Sequence, residues 1–218
     1  MKVLLSWSSG KDSAWALHVM RRDGHHVAGL LTSMNETAGR VSMHGVREEV
    51  LRAQAAAARL PLFTIPLPWP CTNAIYESRL RNAVDQAVGD GFTHVAFGDL
   101  FLEDVRRYRE DSLAGTGLSP LFPLWGRPTD ALAREMIAGG LRARIATLDP
   151  RVMPRELIGA EFDEELLARL PPGVDPCAER GEFHTCAIAG PMFDRPLEVT
   201  TGETVEREGF LYRDLICR

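Results

Sequence analysis

The chain has 218 residues, 45% of them hydrophobic and 25% charged, and 25 Lys plus Arg against 30 Asp plus Glu give a formal net charge of -5. These proportions exclude a disordered or fibrous chain, and no apolar run approaches the roughly 20 residues of a membrane span. Residues 1–109 carry 13 basic and 11 acidic side chains, net +2, and residues 110–218 carry 12 and 19, net -7. Neither half has the basic surplus of a nucleic-acid footprint.

Residues 3–5 read as a short buried strand, and 12–22 as a helix closed by Gly24. A second strand is expected at 27–31. Residues 46–60 are alanine-rich, with Val46, Val50, Ala53 and Ala57 at helical spacing, and Met43-His44-Gly45 opens that helix. A third strand at 62–65 leads into a loop with Pro66, Pro68 and Pro70. A long helix over 74–88 turns Ile75, Leu80, Val84 and Val88 inward, and a fourth strand at 94–97 ends on Gly98-Asp99. This alternation predicts an α/β fold, a parallel sheet with helices on both faces.

The second half is less regular. It offers a charged helix at 103–113, a proline-punctuated apolar stretch at 119–125, and a helix at 130–138 with Thr129 as N-cap and Gly139-Gly140 as stop. A strand at 144–148, a short helix at 164–170 and terminal β structure turning near Thr201-Gly202 complete it. The expected division is a domain over 1–125 and a smaller α+β subdomain over 126–218, the boundary lying between 115 and 150. Cys71, Cys177, Cys186 and Cys217 form no C-x-x-C pair and no zinc spacing, and are read as reduced thiols. With no secretory h-region and no span, the expected location is the cytoplasm.

Ser8-Ser9-Gly10-Lys11-Asp12-Ser13 follows the first strand and opens the first helix. Strand, small-residue loop and helix together present backbone N–H groups to an anion. The Ser8 and Ser13 hydroxyls can donate to phosphate oxygens. Lys11 adds a positive charge, and it is one of only two lysines among the 25 cations. A carboxylate inside an anion site implies a bound cation, so Asp12 points to Mg2+ beside the phosphates, or else to a structural cap of the loop. The spacing fits neither G-x-x-x-x-G-K-[ST] nor G-x-G-x-x-G.

The hexapeptide resembles the PP-loop, S-G-G-x-D-S, of the N-type ATP pyrophosphatases, with Ser9 in place of the first glycine. Downstream come Glu179-Arg180-Gly181-Glu182-Phe183-His184-Thr185 and Ala189-Gly190-Pro191-Met192-Phe193. Together with the loop, these segments resemble the diphthine–ammonia ligase family, whose members carry E-N-G-E-F-H-T and D-G-P-x-F in that order. The resemblance runs from Val3 to about Phe193. It implies a Rossmann-like PP-loop ATPase fold, with ATP and Mg2+ as cofactors and ammonium and a carboxylate as substrates. The carboxylate would be adenylated with release of pyrophosphate and then converted to an amide. The arginine-rich, lysine-poor composition resembles that of a high-GC bacterium, so the acceptor is left unnamed.

On that resemblance Lys11, Asp12, Glu182 and His184 are the catalytic candidates. Residues 8–13 with Gly98 and Asp99 would bind ATP. His44, Arg107, Glu179, Glu182 and Thr185 would hold the substrate. Each has a plainer reading: a turn cap for Asp99, a helix cap for His44, polar surface for the Glu-His segment, and a solvated helix face for Arg106-Arg107-Tyr108-Arg109. Two other functions stay open, a PP-loop tRNA-modifying enzyme and a non-enzymatic ATP or AMP sensor. The oligomeric state is open too, a homodimer being one option.

Overall fold

The computed structural model describes residues 1–42 and 44–218. β1 (Lys2–Ser6) buries Val3 and Leu5 on one face and Leu4 on the other. α1 (Lys11–Arg22) has Asp12 in its first turn and Arg21 and Arg22 in its last, charges that complement the helix dipole. β2 (His26–Asn35) is twice the expected length. β3 (Arg40–Val41), α2 (Glu48–Ala58), β4 (Leu62–Leu67), α3 (Asn73–Gly89), β5 (His94–Ala96), α4 (Glu103–Leu113) and β6 (Ser119–Leu121) follow.

The strands pair in the order β4–β2–β1–β5–β6, all parallel. The chain runs outward from β1 in one direction and resumes at β5 on the other side. That leaves a topological switch point between β1 and β5, where open parallel sheets bind ligands. The short β3 is antiparallel to β2 at Met34 and Asn35, past the last β1 partner at Leu31. It therefore brings Ser42 and residues 44–47 back over the carboxyl edge. α1 and α2 cover one face of the sheet, while α3 and α4 cover the other, with Val84, Ala87 and Leu113 on Leu4, Val95 and Phe97.

α5 (Thr129–Ala138) leads into a second sheet built from β7 (Arg142–Leu148), β8 (Phe183–Ala189), β9 (Val199–Arg207) and β10 (Phe210–Cys217), with α6 (Glu164–Arg169) on the β7–β8 connection. Its order is β8–β7–β10–β9, antiparallel throughout. The fold is thus the expected Rossmann-like α/β architecture with a smaller α+β portion. One apolar cluster runs from Val3 and Leu30 through α1 and α2 to Ile145, Phe183 and Leu215, so the second sheet packs on the first helix layer.

Several local expectations are corrected. α2 starts at Glu48, since Gly45 has φ +66° and His44 sits in the preceding turn; Met43 lies outside the described residues. In α3 only Val84 and Ala87 are buried, and Ile75 and Val88 are exposed, because the helix touches the sheet along its C-terminal half. Pro128, not Thr129, is the N-cap of α5. Part of the proline-punctuated stretch forms β6. The terminal hairpin turns at Glu208-Gly209, with φ 52° and 82°, as a two-residue loop needs positive φ at both positions. Gly202 lies inside β9, where a Cβ would meet Asp214 Cβ and Ile216 Cδ1 at 3.1 Å.

Candidate functional site

At the switch point the loop between β1 and α1, the end of β5, and β8 of the second sheet enclose a cavity of about 220 Å³. Ser8, Asp12, Ser13, His44, Gly98, Asp99, Glu179, His184 and Thr185 all line it, so segments up to 177 residues apart in sequence meet there. Gly10 caps α1 at φ -83° and ψ 173°, and the first-turn amides, which have no intrahelical acceptor, lend the opening a positive potential. Side chains are excluded at two glycines by close approach. A Cβ on Gly10 would stand 3.0 Å from His44 Cε1 and 3.2 Å from Thr185 O, and one on Gly98 3.0 Å from the Asp12 and Ser13 backbone.

Ser9 takes φ 69°, the left-handed conformation for which the PP-loop uses glycine. It is fully buried. Its carbonyl accepts from Ala187 N at 2.9 Å and from Gln54 Nε2 at 3.0 Å. Gln54, wholly buried, also donates to Ala187 O at 2.7 Å and accepts from Trp7 Nε1 at 2.9 Å. It brackets the loop to the second sheet. The sequence reading missed it, although a glutamine between Val50 and Ala57 on the apolar face of α2 is a legible signal.

Lys11 also lines the cavity, but its side chain is 2% exposed, and its ammonium reaches Asp12 Oδ2 at 2.9 Å and the Cys177 carbonyl above the Phe162 and Phe183 rings. Burial works against the charge, yet the adjacent Asp12 carboxylate leads the interactions that raise its pKa above the ordinary lysine value. The backbone N–H of Lys11 donates to Thr185 Oγ1 at 3.0 Å. Asp12 Oδ1, by contrast, is buried with no hydrogen-bond partner among the described residues. An orphaned carboxylate oxygen beside Asp99 and Glu179 suits a divalent cation that takes one or two protein carboxylates and completes its shell with phosphate oxygens and water. No cluster of three or more metal-ligating side chains is preformed among the described residues.

Glu179 faces the cavity with Oε1 held by Leu100 N at 2.7 Å. Burial, joined by the Asp12 and Asp99 carboxylates, pushes it up to about 7. Glu182 does not line the cavity. It is buried, and its two oxygens accept from Asp175 N and Arg180 N, both at 3.1 Å, closing the loop that carries Glu179. The His44 and His184 rings lie 4.6 Å apart at 38°. Burial lowers His184 to about 4 and holds His44 well below its usual value, so both are neutral near pH 7.

Arg107 is exposed and lines no part of the cavity. On α4 the inward face carries Arg106, stacked on Phe122 and Trp125, and Arg109, which lies over Phe97 and pairs with Asp99 at 3.4 Å. Arg107 is about 100° around the helix from Arg106 and points away. Arg109 is the cation of that run that enters the site. All four cysteines are free.

A family model described as the diphthamide synthase N-terminal domain matches residues 1–112, and one described as the diphthamide synthase C-terminal domain matches residues 128–214. Diphthine–ammonia ligase of Rattus norvegicus is 34% identical over 111 residues, covering 48% of this chain and 41% of the relative. The proteins of that name from Schizosaccharomyces pombe and Bos taurus are 25% and 26% identical over 226 and 234 residues, each covering 94% of this chain and 37% and 85% of the relative. The chain therefore spans about two fifths of the rat and yeast relatives it matches.

Proposed function

Because the chain belongs to the diphthamide synthase family, we propose that it activates a carboxylate with ATP and converts it to an amide with ammonia. Residues 1–125 would hold the nucleotide, and residues 126–218 would complete the site and admit the acceptor. The observation that carries this reading is the cavity at the switch point. A phosphate-type loop, an unpartnered buried Asp12 oxygen and a Glu179 carboxylate from the second half share one space of about 220 Å³.

Amide formation from a carboxylate and ammonium needs activation. An acceptor oxygen attacks the α-phosphorus, the bond to the β-phosphate oxygen breaks, and pyrophosphate leaves. Ammonia then attacks the acyl carbon, AMP departs with the acceptor's oxygen, and the nitrogen gives up a proton. Residues 8–13 bind and orient the triphosphate through first-turn amides and the Ser8 and Ser13 hydroxyls. Asp12 and Asp99 would hold Mg2+, which would supply positive charge to the pyrophosphate leaving group. Arg109 adds a guanidinium beside them. Glu179, balanced near neutrality, is suited to hold ammonium and take its proton.

The test is to incubate the chain with ATP, Mg2+, ammonium and a panel of carboxylic acids, and to quantify nucleotide products. AMP and pyrophosphate in equal amounts are expected, and Asp99→Asn, which leaves the buried Lys11–Asp12 pair intact, should lower their formation by about 100-fold with the circular dichroism spectrum retained. ADP and orthophosphate as products would refute cleavage between the α- and β-phosphates. Binding of ATP with no turnover on any acceptor would favour the sensor.

A further inference from the structure

A second and larger cavity, about 720 Å³, opens between the carboxyl ends of β2 and β4 and the β9–β10 hairpin. It adjoins the smaller one closely. Gly45 lines the large cavity and His44, the preceding residue, lines the small one. Tyr76 of the large cavity neighbours Arg109 of the small one. The small cavity falls below the roughly 300–1,000 Å³ that ligand pockets occupy, so it suits a triphosphate while another molecule takes the large one.

The chemistry of the large cavity is uneven. Its walls carry three aromatic rings, Trp69, Tyr76 and Tyr212, with Val205 beside Tyr212 on the neighbouring strand. Trp69 is 61% exposed and Val205 36%, unusual for side chains of that size. The Tyr212 ring lies so close to Gly45 that a Cβ there would meet it at 2.7 Å, so this wall is the backbone turn itself. Four arginines line the cavity against three carboxylates, an excess of one positive charge. Two of the arginines, Arg40 and Arg47, share a single carboxylate, Asp214. Arg40 uses only Nη1, bonded to Asp214 and to Gly45 O at 2.7 Å, and Arg47 uses Nε and Nη2. Among the described residues, Arg40 Nη2 and Arg47 Nη1 have no acceptor. Two guanidinium groups with spare donors therefore stand at the Gly45 turn, next to the nucleotide side. The aromatic walls adjoin the same turn, with Tyr212 against Gly45 and Tyr76 beside Arg109.

We propose that this cavity binds the acceptor, a small monocarboxylic acid with an aromatic body. Its carboxylate is held by Arg40 and Arg47 toward the smaller cavity, and its ring lies among Trp69, Tyr76 and Tyr212. A carboxylate completes the unused guanidinium fork, and the ring gains offset or edge contacts with the three aromatics. The assignment rests on the ligase reading for the fate of the acceptor, but its binding can be measured without turnover.

Trp69 supplies the readout: of the four tryptophans, Trp7 and Trp15 are buried, Trp125 is half-buried under Arg106 outside this cavity, and a Trp69→Phe variant isolates the Trp69 emission. Phenylacetate is titrated into the chain while tryptophan emission is followed, with phenylacetamide as the uncharged control. A saturable change from the acid alone is expected. It should be lost in Trp69→Phe, and its midpoint should shift about tenfold or more in Arg47→Gln. Arg47 is 40% exposed and Arg40 continues to pair Asp214, so this variant keeps its fold. Should it not, the contrast between acid and amide in the unmodified chain decides. Equal responses to acid and amide, or an Arg47→Gln midpoint equal to that of the unmodified chain, overturn the proposal. So does AMP displacing phenylacetate with the same emission change, which would give the cavity to the nucleoside. If phenylacetate binds as described and no AMP forms with ATP and ammonium, the pocket stands and the ligase reading falls. If another acid yields AMP while no aromatic acid alters Trp69, the ligase reading stands and the pocket falls.

Discussion

Ser9 holds a left-handed backbone at φ 69° with its side chain fully buried and Oγ unbonded among the described residues. Both features act against stability. A left-handed conformation costs an L-residue about 1–2 kcal/mol, and an unsatisfied buried hydroxyl adds to that. Glycine removes both at the expense of roughly 0.5–1 kcal/mol of unfolded-state entropy. Ser9→Gly should therefore raise stability by about 1 kcal/mol, which for a chain of this length lifts Tm by about 2–4 °C. A lowered Tm would mean that the hydroxyl makes a contact worth more than the strain. The bracket from Gln54 to Ser9 O explains how the loop keeps this conformation without glycine, because backbone bonds from two directions over-determine it.

At the scale of elements, the segment from Asp175 to β8 separates Glu179 from Glu182, which the sequence reading placed together at the substrate, with Glu182 catalytic as well. Glu182 closes the loop on two backbone amides, and Glu179 uses the closed loop to face the cavity. Glu182→Gln replaces an accepting oxygen with a donor opposite a buried N–H. It should cost about 1–3 kcal/mol and lower AMP formation along with Tm. Glu179→Gln should leave Tm at pH 8 at or above that of the unmodified chain. The Glu179 carboxyl is raised in the folded state, so its ionisation weakens the fold as pH climbs from the unfolded value to about 7. If the carboxylate form works, turnover should rise through pH 7, and Glu179→Gln should flatten that limb; an unchanged pH profile would remove Glu179 from the chemistry. The parallel pairing of β1, β2, β4 and β5 was legible because buried runs alternate with helical spacing, while their spatial order was not. The Ser8–Ser13 loop was legible because small residues between a strand and a helix have few other uses. Helix phase was not. Arg107 and Arg109, or Val88 and Ala87, differ by which way a helix is rolled onto its sheet, and that is settled by neighbours such as Phe97 and Phe122 far along the chain. Gly202 was mistaken for the hairpin turn because a glycine needed for close approach to Asp214 looks the same in sequence as one needed for positive φ. The large cavity had no signal at all, being assembled from β3, the loop after β4, and the β9–β10 hairpin.

For the molecule as a whole, the question is whether the two sheets are one folding unit. The main apolar cluster passes without interruption from Val3 to Leu215. Lys11 bonds across it from α1 to the Cys177 carbonyl, over the Phe162 and Phe183 rings. A buried ammonium is tolerable only with Asp12 and that carbonyl both in place. Lys11→Met keeps the volume but strands the Asp12 carboxylate and the Cys177 oxygen, a change worth about 3–5 kcal/mol. At about 2–4 °C per kcal/mol for this length, Tm should fall by about 6–20 °C. Because the core is shared, unfolding followed by calorimetry should remain a single transition before and after the substitution. Two resolved transitions would show that the sheets fold separately and that Lys11 joins finished units. A Tm unchanged in Lys11→Met, together with lost AMP formation, would give the ammonium back to the phosphates, because a staple cannot be removed from a shared core without a thermal cost.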